Sequence, residues 1–158
     1  MSTVKQISLT LNGEPKTFET TADETLVDLL RRHGYRGTKT GCYEGACGAC
    51  TVILDGRAVY GCLLRAFQAH GRDVQTIEGA GSFDDPHPVQ RALVDEGAVQ
   101  CGFCTPGMVL SAKALLDETP HPGSDTIKEH MDGNLCRCTG YEKIRVAVEK
   151  VAASTAMP

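Results

Sequence analysis

Eight cysteines dominate the chemistry available to this 158-residue chain, and they fall into two groups of four. The first is Cys42-x4-Cys47-x2-Cys50, with Cys62 after eleven intervening residues. The second is Cys101-x2-Cys104 followed, 31 residues on, by Cys136-x-Cys138. The C-x4-C-x2-C…C spacing of the first group is that of plant-type ferredoxins, in which four thiolates hold a 2Fe–2S centre. Such a centre is anionic and gains further negative charge on reduction, so a buried one needs hydrogen-bond donors around its sulfurs. Gly41, Gly45 and Gly48 interleave with the first group. Glycine lets the backbone curl tightly and aim N–H groups inward. In the second group Cys104 precedes Thr105-Pro106-Gly107, which reads as a helix start. A helix N-terminus offers free N–H groups and a positive dipole end. Asn134 to Gly140 repeats that arrangement ahead of a last helical stretch.

Other uses of eight cysteines fit less well. Structural zinc sites commonly pair two C-x2-C knuckles about 15–20 residues apart, and neither group has that form. Four disulfides require an oxidising compartment, and Met1 to Leu11 holds no apolar run that would export the chain. A Rieske centre takes two histidines, yet none of His33, His70, His87, His121 and His130 lies within a cysteine motif. These five read as surface or structural side chains.

The elements that must position the cysteines change character halfway along. The first half alternates with period two. Ile7, Leu9 and Leu11 share a face, Asn12-Gly13 turns the chain, and Lys16 to Thr20 returns with Phe18 inward. Thr21 to Gly34 is predicted as a helix capped by Thr21 or Asp23, with Leu26, Leu29 and Leu30 as its stripe. Thr51 to Leu54 and Arg57 to Tyr60 form a second hairpin around Asp55-Gly56, and Val74 to Ile77 is a short last strand. The second half has helical period. Pro88 to Glu96, a helix from Pro106 through Leu116, Ser124 to Met131 (capped by Ser124) and Tyr141 to Ala153 are expected as four helices. The segment Glu78 to Pro88 is rich in Gly, Asp and Pro and marks the boundary between domains 1–77 and 78–158.

Charge is uneven. Residues 1–77 carry 9 basic and 8 acidic side chains, and residues 78–158 carry 7 and 12. No Lys/Arg cluster points to nucleic acid, which also counts against a cluster-based DNA-binding sensor. No stretch approaches a membrane span, and a cytoplasmic location is the expectation. Aromatics are only 5% of the chain, so two small domains would have thin cores that gain from a metal staple.

Beyond spacing, Gly37 to Cys42 and Cys47 to Val52 resemble the N-terminal iron–sulfur motif of the xanthine oxidase family of molybdenum hydroxylases. Gln100-Cys101-Gly102-Phe103-Cys104-Thr105-Pro106-Gly107 and Gly133-Asn134-Leu135-Cys136-Arg137-Cys138-Thr139-Gly140-Tyr141 resemble the second motif of the same family. The resemblance covers nearly the whole chain. It implies an α+β protein: a β-grasp ferredoxin-like domain followed by an all-α four-helix domain, each binding one 2Fe–2S cluster. It implies the small electron-transfer subunit of an oxidoreductase that does no substrate chemistry itself. The cluster of Cys101, Cys104, Cys136 and Cys138 would face molybdopterin on a large subunit, commonly as the cytosine dinucleotide. The cluster of Cys42, Cys47, Cys50 and Cys62 would face FAD on a medium subunit, in a dimer of heterotrimers. Gln100 would link the second cluster region to the pterin, and Cys138 would both ligate and lie against it. Tyr60-Gly61 precedes Cys62 where many relatives have serine, which is expected to alter a hydrogen bond near the first cluster. A free-standing 2Fe–2S carrier and a zinc-stabilised interaction module are the alternative readings.

Overall fold

The computed structural model describes residues 4–154. Strands β1 (Lys5–Leu11) and β2 (Glu14–Thr20) form an antiparallel hairpin across the Asn12-Gly13 turn, pairing Ile7 with Phe18. Helix α1 (Leu26–Arg32) follows. It is shorter than Thr21 to Gly34 because Thr25, not Thr21 or Asp23, caps it: the Thr25 hydroxyl accepts the Asp28 N–H at 3.2 Å. Strands β3 (Thr51–Leu54) and β4 (Arg57–Tyr60) form the second hairpin, and β5 (Asp73–Gln75) lies between the hairpins. The order is β2-β1-β5-β3-β4, with β1 and β5 parallel. Single 3-10 turns occupy Ala66–Ala69 and Ile77–Gly79; the second replaces the expected strand end at Ile77. One sheet face packs Leu9, Leu11, Val52, Leu54 and Val74 against Leu26, Leu29 and Leu30 of α1.

Helices α2 (Pro88–Asp95), α3 (Thr105–Glu118), α4 (Ser124–Met131) and α5 (Glu142–Ser154) make the second half. Gly123, not Ser124, is the N-cap of α4, and no side chain caps it. The helices share a core of Val89, Leu93, Met108, Val109, Ile127, Met131, Ile144 and Val148.

Helix α3 is central and buried on two sides. Met108, Val109 and Ala112 face the other helices, while Leu110 and Ala114 pack with Ile53 and Ala80. All four residues of β3 are therefore buried, because α1 covers one face of the sheet and α3 the other. Burying two faces of a short strand and most of a helix is how thin cores are made continuous. It also carries Cys104, at the head of α3, toward the loop that precedes β3.

Candidate metal centres

The loop between α1 and β3 holds Cys42, Cys47 and Cys50, and Cys62 follows β4. The turn is tight. The Cys42 Sγ accepts N–H groups from Glu44 and Ala46, each at 3.4 Å. Those two donors, with help from Cys47, bring the Cys42 thiol down to about 7. Cys50 and Cys62 are buried. Burial pushes the Cys50 thiol up to about 12, with neighbouring Cys62 and Cys47 thiols acting on it. Tyr60 is raised too, first by burial and then by Cys50, Cys47, Cys42 and Cys62. A side chain on Gly41 would put its Cβ 2.9 Å from the Cys47 Sγ. The glycine there leaves room for a sulfur.

The second group assembles where the starts of two helices meet. Cys104 is the N-cap of α3, with Pro106 in its first turn. Cys136 and Cys138 lie in the loop before α5. The Cys101 and Cys138 sulfurs stand 3.6 Å apart, and Cys104 and Cys136 are in side-chain hydrogen-bond contact. Burial pushes the Cys104 thiol up to about 12. Burial acts the same way on Cys136, but the Thr139 hydroxyl and the N–H groups of Cys138 and Thr139 outweigh it and lower that thiol. The bond to Cys101 raises Cys138. Gln100 donates from Nε2 to the Cys138 carbonyl at 3.1 Å. The Tyr141 hydroxyl accepts the Cys136 N–H at 2.8 Å.

In both groups the thiols form two pairs: Cys42 with Cys47 and Cys50 with Cys62, then Cys101 with Cys138 and Cys104 with Cys136. Among the described residues no three His, Cys, Asp or Glu side chains converge where a single ion could sit. Two pairs of thiolates suit a dinuclear core, two for each iron. The donor set therefore fits 2Fe–2S centres.

The two loops touch. Leu135 N–H donates to the Cys47 carbonyl at 2.8 Å. Asn134, only 3% exposed, donates from Nδ2 to the Gly48 carbonyl at 2.9 Å and to Thr51 Oγ1 at 3.1 Å. The Tyr60 hydroxyl donates to the Gly133 carbonyl at 2.7 Å. Gly48 has φ +68°, and a Cβ on it would meet the Gly133 oxygen at 2.4 Å. Tyr60, at the end of β4, thus reaches across to the other half. Beside the second group opens a cleft of about 410 Å³, lined by Phe103, Leu135, Arg137 and Tyr141 as well as its four cysteines.

Sequence reasoning brought the eight cysteines and Gln100 to these two sites. It missed Asn134, Thr139 and Tyr141 as contacts, although all three stood inside the quoted motif. Three of the histidines have structural contacts: His70 Nδ1 accepts the Ser8 N–H, His87 caps α2, and His33 packs against Phe18 with ring centroids 4.7 Å apart and planes tilted by 55°.

Residues 9–75 match the 2Fe-2S iron-sulfur cluster binding domain, and residues 76–149 match a second 2Fe-2S binding domain. The nicotinate dehydrogenase small FeS subunit of Eubacterium barkeri is 50% identical over 143 residues, covering 90% of this chain and 91% of that one. The nicotine 6-hydroxylase small subunit of Paenarthrobacter nicotinovorans is 44% identical, with coverage of 90% and 87%. Among solved structures, quinoline 2-oxidoreductase from Pseudomonas putida 86 superposes with a TM-score of 0.92 at 42% identity, covering 98% of this chain and 96% of that chain. The aldehyde oxidoreductase of Desulfovibrio gigas matches with a TM-score of 0.92 at 41% identity, over 96% of this chain but 17% of that one. In that enzyme the same unit is one part of a much longer chain. The chain belongs to the small iron–sulfur subunits of the xanthine oxidase family of molybdenum hydroxylases.

Proposed function

We propose that the chain relays single electrons between a molybdopterin site on a large subunit and FAD on a medium subunit, using two 2Fe–2S clusters held in domains 1–77 and 78–158. Cys101, Cys104, Cys136 and Cys138 hold the cluster on the molybdenum side, and Cys42, Cys47, Cys50 and Cys62 hold the one on the flavin side. Bound there, the clusters supply one-electron redox chemistry. The observation that carries the reading is the 2.8 Å hydrogen bond from Leu135 N–H to the Cys47 carbonyl. It joins the backbone next to one ligand, Cys136, to the backbone of another.

The remaining residues do the work of holding. Glu44 and Ala46 offer N–H groups to a Cys42 thiolate. Gln100 holds the Cys138 carbonyl, and so fixes the strip of chain that would lie against the pterin. Asn134 and Tyr60 fix the two loops on each other. Apolar side chains stand exposed at both ends: Phe103 and Leu135 beside the second group, Tyr43 and Leu63 near the first. Exposed apolar side chains around both groups suit two permanent partners better than a freely diffusing carrier.

The test is to purify the chain with its partners and count metal. About four iron and four labile sulfide per chain are expected from the ligand count, with both clusters reduced when substrate is added under anaerobic conditions. Zinc in place of iron, or clusters that stay oxidised while substrate is consumed, would defeat the proposal.

A further inference from the structure

The Thr139 side chain has no place in the relay described above, yet it touches a candidate ligand. Its hydroxyl lies 3.1 Å from the Cys136 Sγ. The same oxygen accepts the Tyr141 N–H at 3.3 Å. A hydroxyl has one proton to give and two lone pairs to accept with. With Tyr141 directed at a lone pair, the single O–H is left for the sulfur. The Tyr141 phenol, from the same turn, also accepts the Cys136 N–H, so the ligand is pinned from both ends. At the first group the Cys42 sulfur instead receives backbone N–H groups from Glu44 and Ala46.

We propose that Thr139 is a positioning and tuning residue: its hydroxyl donates to the Cys136 thiolate and raises the reduction potential of the second cluster relative to the first. This rests on the ligand assignment proposed above. The physical ground is that reduction adds an electron to an already anionic centre. A donor aimed at a ligand sulfur stabilises the more negative, reduced form more than the oxidised one. Hydrogen bonds to cluster sulfurs are among the determinants of such potentials. Cys136 is the ligand beside Leu135, so the hydroxyl acts at the point where the two loops meet.

The experiment is an EPR-monitored redox titration of the whole complex carrying Thr139→Val, Thr139→Ala or Thr139→Ser, with iron content measured in each. In Val and Ala variants, the second cluster's potential should fall while the first stays put. The expected size is about a tenfold shift in how one electron divides between the two clusters, or about 59 mV. Thr139→Ser keeps the hydroxyl and should restore the wild-type value. An unchanged potential in a fully loaded Val or Ala variant overturns the inference while leaving the ligand assignment standing. Wild-type protein lacking a second cluster would instead overturn the assignment beneath it. If neither variant keeps its iron, pulsed ENDOR on the reduced wild-type complex decides. Brief transfer to D₂O should exchange one strongly coupled proton, because a hydroxyl exchanges faster than a hydrogen-bonded backbone N–H; no such exchange would refute the bond.

Discussion

The side-chain amide of Asn134 donates to the Gly48 carbonyl across 2.9 Å, joining positions 86 residues apart at the seam between the two cysteine loops. Gly48 O also accepts the Thr51 hydroxyl at 2.7 Å, and that hydroxyl in turn accepts from Asn134. The three groups satisfy one another in a place that water does not reach.

Replacing Asn134 by leucine removes two donors from that seam and leaves buried acceptors less well paired. A loss of about 1–3 kcal/mol is expected for such a site. Chemical denaturation of the iron-loaded subunit would measure it. Tyr60→Phe removes one donor at a partly buried position and should cost about 0.5–1.5 kcal/mol. The two variants share the seam, so their effects should not add.

Gly48→Ala should be worse than its size suggests. The left-handed backbone alone costs a residue with a Cβ about 1–2 kcal/mol, and that Cβ would stand 2.4 Å from the Gly133 oxygen. Relief requires the loops to part, which would lengthen the Leu135 to Cys47 bond. Lower thermal stability and slower electron equilibration between clusters, read by rapid freezing, are expected together.

Cys104→Ala should abolish one cluster and spare the other. Iron should fall to about two per chain from the ligand count. In the complex, substrate should still reduce molybdenum while delivery to the acceptor fails. Normal turnover in this variant would contradict the relay.

His87 gives the helical half a pH dependence. Its Nδ1 accepts the Val89 N–H at 3.3 Å, which only the neutral ring can do. Burial, and secondarily Lys113, lower its pKa below the ordinary value near 6.5, with Asp117 opposing. The unfolded chain therefore binds this proton more readily than the folded one. The stabilisation is complete above pH about 6.5 and is lost as pH falls through the depressed folded value. His87→Asn, which keeps a capping acceptor that does not titrate there, should flatten the fall in melting temperature between pH about 6.5 and 5.

Much of the fold could be read directly. The Asn12-Gly13 and Asp55-Gly56 turns set both hairpins, because their flanking residues alternate or run apolar. The cysteine spacing sorted the eight thiols into two sets, of which the first has three members in one loop while the second is drawn together from the loops before α3 and α5. The seam could not be read in the same way. Nothing near Asn134 in the chain distinguishes a buried amide from a polar loop residue, because its partners Gly48 and Thr51 arrive only through the packing of α3 on β3. The second face of α3 escaped notice for a similar reason. Leu110 and Ala114 look like ordinary helix filling until Ile53 lies against them. Thr139 is subtler still: its hydroxyl accepts the Tyr141 N–H just ahead of α5, and its one proton is left for the sulfur.

The pairing of thiols also orders the assembly of the protein. Cys42 pairs with Cys47, a neighbour in the same loop, and Cys50 with Cys62 across one hairpin, so metal at the first group closes only short loops. Each pair in the second group joins the segment before α3 to the segment before α5; Cys101 and Cys138 are 37 positions apart. Loop-closure entropy rises with length, and on a ribosome the second site does not exist until residue 138 has emerged and two helices have folded back. On the proposed ligand assignment, the ferredoxin-like half has its four thiols close together early in synthesis, whereas the helical half gathers its four only when it is nearly complete.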